Sequence, residues 1–234
     1  MVTGSRSQIG NGTSEDRCSG GLVMVLAAAR NQIQPHDLLR LRSAALLARA
    51  APKWVSESPA RSSWVVARYR TTPDGLLAVG VRGSQRNQRW DTMILPTDIG
   101  LRVTPEQLVY RIGHLDNTSP AAEALRQLRR RLHGLALRWG PIGSAGFELA
   151  SGLVTMDRDS DLDIVVRFGR PAPRQLVDRL QSVVQNLPAI VDVQLDLGFG
   201  AVSLAELMSP KSKILARTRS GERLMPTELC WLRA

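Results

Sequence analysis

The clearest pattern in the chain is a strict alternation near its C-terminal third. Val191, Val193, Leu195 and Leu197 are apolar, and Asp192, Gln194 and Asp196 fall between them. A period of two predicts a strand over 189–197 with one face in a core and one face lined by polar groups. Upstream, the apolar run after Asp161 predicts a strand over 161–168. Pro171-Ala172-Pro173 breaks it, and Leu176, Val177, Leu180, Val183 and Val184 then recur at helical spacing over 175–186. Ser119-Pro120 opens another helix, with Ala121, Ala124, Leu125, Leu128 and Leu132 on one face. Arg126, Arg129 and Arg130 lie towards its other side and read first as a solvated face, second as a docking surface.

The earlier half alternates less cleanly. Residues 64–69 and 76–81 are rich in β-branched and aromatic side chains and predict two strands. Thr72-Pro73-Asp74-Gly75 between them supplies the chemistry of a tight turn, so the pair predicts a hairpin. Pro35 to Leu39 is expected to open a helix, with Asp37 as cap and Leu38, Leu41 and Ala45 on one face. His36-Asp37 accordingly reads as a capping or packing pair before a catalytic one. Thr104-Pro105 predicts a helix start, and 135–139 predicts the first strand of the C-terminal sheet, ending at Gly140-Pro141. Strands and helices in this order predict an α+β fold. The expected organisation is a disordered tail over 1–34, a smaller α+β domain over 35–118 and a larger domain over 119–234, joined near 114–119.

Chemistry concentrates in residues 140–166. Ser160-Asp161-Leu162-Asp163 heads an apolar run, and on a strand Asp161 and Asp163 point the same way. Their Cα atoms then lie roughly 6–7 Å apart, close enough to hold one hard cation. Gly143-Ser144 precedes a short helix-like run over 145–150, and such a turn offers free N–H groups and a hydroxyl to a phosphate. Together they read as a site for a metal–triphosphate substrate. Ser144 as a nucleophile is a poor alternative, because Ile142 stands where the hydrolase elbow needs glycine. No phosphate-loop or dinucleotide fingerprint occurs. The loop 82–89 is basic and glycine-containing, either a solvated turn or an anion clamp.

Gly-Ser, a short helix and then Ser-Asp-x-Asp on a strand resembles the nucleotidyltransferase superfamily. His36 to Leu39, Val79 to Gly83 with Arg86 and Arg89, Gly143 to Ala150, Ser160 to Arg167 and Val191 to Leu195 resemble one branch of it, the malonate decarboxylase holo-acyl-carrier-protein synthases, or phosphoribosyl-dephospho-CoA transferases. The resemblance runs from about residue 35 to the C-terminus, which makes Met24 an alternative start. It implies a nucleotidyltransferase-like mixed sheet with flanking helices. It implies transfer of the prosthetic group from 2'-(5-triphosphoribosyl)-3'-dephospho-CoA to a serine of apo acyl carrier protein, with diphosphate released. Asp161 and Asp163 become ligands for Mg2+ or Mn2+, and Gly143, Ser144, Arg82, Arg86 and Arg89 become substrate contacts. Superfamily members place a third carboxylate on a later strand. Asp192 and Asp196 both qualify, and Asp192, nearer the strand's start, is favoured.

Composition narrows the alternatives. The net charge is +10, which implies an acidic partner or substrate. Nearly all the cations are arginine, with lysine only at 53, 211 and 213, and arginine suits bidentate phosphate contacts. Two cysteines and three histidines without ligand spacing exclude a structural zinc motif and leave carboxylates for any metal. Aromatics are 4% of residues, few for stacking platforms, so a nucleic-acid-binding module ranks below a nucleotidyltransferase acting on RNA or on a protein. No apolar run approaches the roughly 20 residues of a membrane span; a cytoplasmic enzyme is expected.

Overall fold

The computed structural model describes residues 33–47, 51–70, 72, 75–85 and 87–232. Most of the expected tail, part of the 72–75 turn and Arg86 lie outside them. The described residues form two sheets. The first has the order β4-β3-β2-β1-β5, built from β1 (Leu38–Leu41), β2 (Trp64–Ala67), β3 (Leu77–Arg82), β4 (Arg89–Ile94) and β5 (Ile99–Val103). Every neighbouring pair is antiparallel. Two short helices, α1 (Lys53–Glu57) and α2 (Pro59–Ser62), fill the connection between β1 and β2.

The helix expected from residue 35 is a strand instead. Leu38 to Leu41 pairs with β2 on one side and β5 on the other. Leu39 and Leu41 enter the core of the first sheet, and Leu38 turns to a second apolar cluster. A central strand buried on both faces reads as a continuous apolar run, which periodicity over so few residues cannot separate from a helix. Asp37 caps no helix; its carboxylate accepts the Gln34 N–H at 2.9 Å and is fully buried between two arginines.

The connection to the second sheet runs through α3 (Pro105–Leu108), where Thr104 and Gln107 form the reciprocal cap that Thr104-Pro105 predicts. Next comes α4 (Pro120–Leu132), whose apolar face is completely buried. The second sheet has the order β11-β10-β9-β8-β7-β6. Its strands are β6 (Arg138–Pro141), β7 (Leu162–Arg167), β8 (Val191–Asp196), β9 (Ala201–Ser203), β10 (Lys213–Thr218) and β11 (Gly221–Pro226). Only β7 and β8 pair in parallel, which makes this a mixed sheet. Between strands lie α5 (Gly143–Ser151), α6 (Arg174–Val183) and α7 (Leu204–Leu207). The first strand of this sheet begins at Arg138, three residues later than the pattern predicts. The mixture of helices with antiparallel and mixed sheets is the α+β class expected from the sequence.

The alternation of β8 is realised: Val193, Leu195 and Leu197 are buried in the main core. Leu38, Trp64 and Val103 of the first sheet pack with Leu108, Phe147 and Ala150 in one cluster. That seam packs the first sheet against the body of α5, at Phe147 and Ala150. Among the described residues no helix is long and apolar enough to cross a membrane.

Candidate active site

The site forms where α5 begins against β7. Ile142 donates its backbone N–H to the Asp163 carbonyl at 2.9 Å, so the helix starts beside the carboxylate strand. Gly143 adopts φ 58°, a conformation costly for any residue with a Cβ. A Cβ there would overlap Asp163 Oδ2 and stand 2.9 Å from its Cγ. Glycine is therefore required twice, for its dihedral and for the carboxylate packed against it. Ile142 provides no side-chain cap, which leaves the first N–H groups of α5 available to an anion.

From the first sheet, Arg82 at the end of β3 donates from Nη2 to Ser144 Oγ at 2.9 Å. Arg89, opposite Arg82 across the β3–β4 ladder, is near enough for its charge to act on Asp163. On the other side of α5's start, Asp163 sits in register with Asp192 across the parallel β7–β8 pair. Burial raises the Asp163 carboxyl above the usual carboxylate range, and the neighbouring Asp192 and Asp161 add to the effect. Arg82 and Arg89 act the other way. The structure thus gathers Asp161, Asp163, Asp192, Gly143, Ser144, Arg82 and Arg89 at one place; Arg86 is outside the described residues. Asp196 lies elsewhere, 3.4 Å from Arg167 Nη1.

The donor set fits magnesium or manganese, because it consists of carboxylate oxygens with no thiolate or imidazole among the residues gathered there. Asp163 joins no ion pair among the described residues, and like charges crowd it. Among the described residues no three His, Cys, Asp or Glu side chains close into a metal cage. Magnesium needs only one or two carboxylates when substrate phosphates complete its shell.

Two family models cover almost all of this arrangement. The phosphoribosyl-dephospho-CoA transferase MdcG N-terminal domain matches residues 34–105, and the C-terminal domain of the same name matches 109–228. The chain belongs to the phosphoribosyl-dephospho-CoA transferase family. It is 40% identical over 193 residues to a protein of that name from Pseudomonas syringae pv. tomato, covering 82% of this chain and 92% of the relative. Likeness to the Pseudomonas aeruginosa protein of the same name is also 40%, over 82% and 91% of the two chains. For the Azotobacter vinelandii protein it is 39%, over 82% and 92%. No solved structure matches the chain. The family likeness read from the sequence motifs is thereby borne out, and the chain is a transferase.

Two supports of this transferase site are not legible in its motifs. Arg167, at the end of β7, is buried, and three carboxylates surround it. Its distances are 3.3 Å to Asp37, 3.1 Å to Glu106 and 3.4 Å to Asp196, and it donates to the Pro35 carbonyl at 2.8 Å. This ties the start of β1 and of α3 to the strand that carries Asp163. Glu148, buried on α5, accepts the N–H groups of Thr155 and Met156 at 2.8 Å each. Asn117 donates to the same carboxylate at 2.9 Å. The loop leading to Asp161 is thus tied down from beneath. Arg126 is committed to structure as well, donating to the Leu115 and Asn117 carbonyls at 2.7 Å each, and this removes it from any docking face.

Proposed function

We propose that this transferase moves the phosphoribosyl-dephospho-CoA group from 2'-(5-triphosphoribosyl)-3'-dephospho-CoA to a serine of the apo acyl carrier protein of malonate decarboxylase, in the cytoplasm. One observation carries the reading: uncapped helix N–H groups, Arg82 and Asp163 meet at Gly143, with Asp161 and Asp192 beside Asp163. That combination suits a triphosphate at one edge and a hydroxyl nucleophile at the other.

In this reading the N-terminus of α5 and the Arg82 and Arg89 guanidinium groups bind the phosphates. Ser144 orients Arg82 and needs no nucleophilic role. Asp161 and Asp163 hold magnesium or manganese, which when bound supplies charge neutralisation at the triphosphate. Asp192, exposed at the start of β8, accepts the proton of the incoming serine hydroxyl. The serine oxygen forms a bond to the phosphorus next to ribose, the bond from that phosphorus to the bridging oxygen breaks, and diphosphate leaves with the electron pair. No covalent enzyme intermediate is required.

The test is incubation with apo carrier protein, the triphosphoribosyl donor and magnesium, followed by intact mass of the carrier. A gain equal to the phosphoribosyl-dephospho-CoA group, with one diphosphate released, is expected. Diphosphate release with RNA and none with any carrier protein would replace this reading with nucleotidyl transfer to RNA.

A further inference from the structure

Beside the carboxylates the two sheets enclose a cavity of about 510 Å³. It adjoins a smaller hollow of about 280 Å³ that is lined by Asp163 and Asp192. Gln194 and Arg217 line both. The larger cavity is therefore an extension of the site, and its lining has two chemical characters.

One wall is neutral. His36 Nε2, Tyr69 Oη and Gln194 Oε1 are closed off from solvent and complete no hydrogen bond among the described residues. Gln194 stands beside the imidazole and Asp196 beside the phenol, and the two rings meet edge-on at 5.8 Å. Burial, and then the charges of Arg167 and Arg68, lower the His36 imidazole to about 3. Burial, and then Asp196, raise the phenol. Both groups consequently meet a ligand uncharged. Buried polar atoms that complete no hydrogen bond are rare in folded proteins; here the imidazole and the amide neighbour one another and the phenol neighbours Asp196, so a small rearrangement of this wall would pair them with a ligand in the cavity.

The other wall is positive. Arg68, Arg70, Arg89 and Arg217 line it against two carboxylates, Asp91 and Glu222. Arg68 lies 3.4 Å from Asp91 and Arg217 lies 3.5 Å from Glu222. Gly80 makes room for Arg68: a Cβ there would stand 2.7 Å from the guanidinium carbon. The arginine excess suits a multiply charged phosphate group.

We propose that this cavity binds the adenosine 5'-diphosphate portion of the donor, with the purine on the His36–Tyr69–Gln194 wall and the diphosphate among the arginines. The assignment rests on the reading that the donor is a dephospho-CoA derivative. A primary amide can pair with the amino group and a ring nitrogen of adenine at once. Gln194 also stands two residues beyond Asp192 on the same face of β8. The anchors for base and reacting phosphate are thus about 7 Å apart along the strand. In the donor a single pentose separates the adenosine from the triphosphate, so the two anchors suit one extended molecule.

The test is calorimetry on the full chain with ADP, which lacks the triphosphoribosyl arm and cannot be turned over, and separately with inorganic triphosphate. Wild type should bind ADP more tightly than IDP, whose 6-oxo group replaces the amino group. Gln194→Ala should weaken ADP about tenfold, the loss of one buried hydrogen-bonding partner, and should abolish the preference over IDP. Tyr69→Phe, which keeps the ring and guards against loss of fold, should weaken ADP while leaving triphosphate affinity unchanged. Equal ADP affinity in both variants and wild type would overturn the assignment, as would equal binding of ADP and IDP by wild type. Binding of 4'-phosphopantetheine that these substitutions weaken while ADP is unaffected would overturn it as well. Because ADP binding is read without turnover, ADP failing while carrier-protein transfer proceeds counts against the cavity alone. ADP binding as described with no transfer to the carrier counts against the proposed reaction alone.

Discussion

Gly143→Ala is the sharpest perturbation available, because the molecule supplies its own control. Gly143 has φ 58° and Gly152, at the other end of the same helix, has φ 74°. Each would strain a side chain by about 1–2 kcal/mol from the left-handed conformation alone. A Cβ at Gly152 meets nothing within 4 Å, whereas one at Gly143 would overlap Asp163 Oδ2 and stand 2.9 Å from Cγ and 3.0 Å from Cβ. Overpacking of that kind adds about 1–3 kcal/mol. Gly152→Ala is thus expected to cost about 1–2 kcal/mol and Gly143→Ala about 2–5 kcal/mol. Urea denaturation of the two variants reads the difference directly. The double variant Gly143→Ala/Asp163→Ala removes the overlapping carboxylate and leaves only the Cβ of residue 163 at 3.0 Å, so the cost of alanine at 143 should fall most of the way to that at 152. Transfer should drop sharply in Gly143→Ala, since either the turn or Asp163 must move. Equal costs at 143 and 152, with no coupling to Asp163, would refute the claim that the carboxylate is held against the turn.

Three further outcomes are expected. Asp163→Asn should abolish most transfer yet melt higher than wild type near neutral pH in the absence of divalent metal. Burial and two like charges raise this carboxyl in the folded state, so its ionisation removes stability as pH rises from the unfolded value through the folded one. The advantage of Asn should therefore shrink in acid, and a wild type at least as stable at neutral pH would contradict the assigned environment. Arg167→Met leaves Asp37, Glu106 and Asp196 around an empty position and should cost about 3–5 kcal/mol in denaturant unfolding; a loss within error of zero would remove its role as a tie between the sheets. Glu148→Ala strands the N–H groups of Thr155 and Met156, and amide exchange at those two positions should accelerate while the α4 amides keep their protection.

The sequence by itself determined the elements whose periodicity is long or whose punctuation is specific. The alternation of 189–197 gives β8, the apolar face of 120–132 gives α4, and Thr104-Pro105 gives the α3 cap. It also placed Asp161 and Asp163 at the head of a strand and Gly143-Ser144 at the opening of a helix, because both facts depend only on residues near in sequence. Nothing local could show that Leu38 to Leu41 is a strand, since two partners recruited from residues 64–67 and 99–103 decide it. Residues beyond 197 carry no comparable alternation, and the three strands they form are stabilised by one another. The position of Arg82 over Ser144, the separation of Asp192 from Asp196, the burial of Arg167 among three carboxylates and the cavity behind Gln194 all join residues far apart in the chain. Tertiary structure alone decided them, because a side chain's reach and the charge it meets depend on which distant backbone is brought beside it.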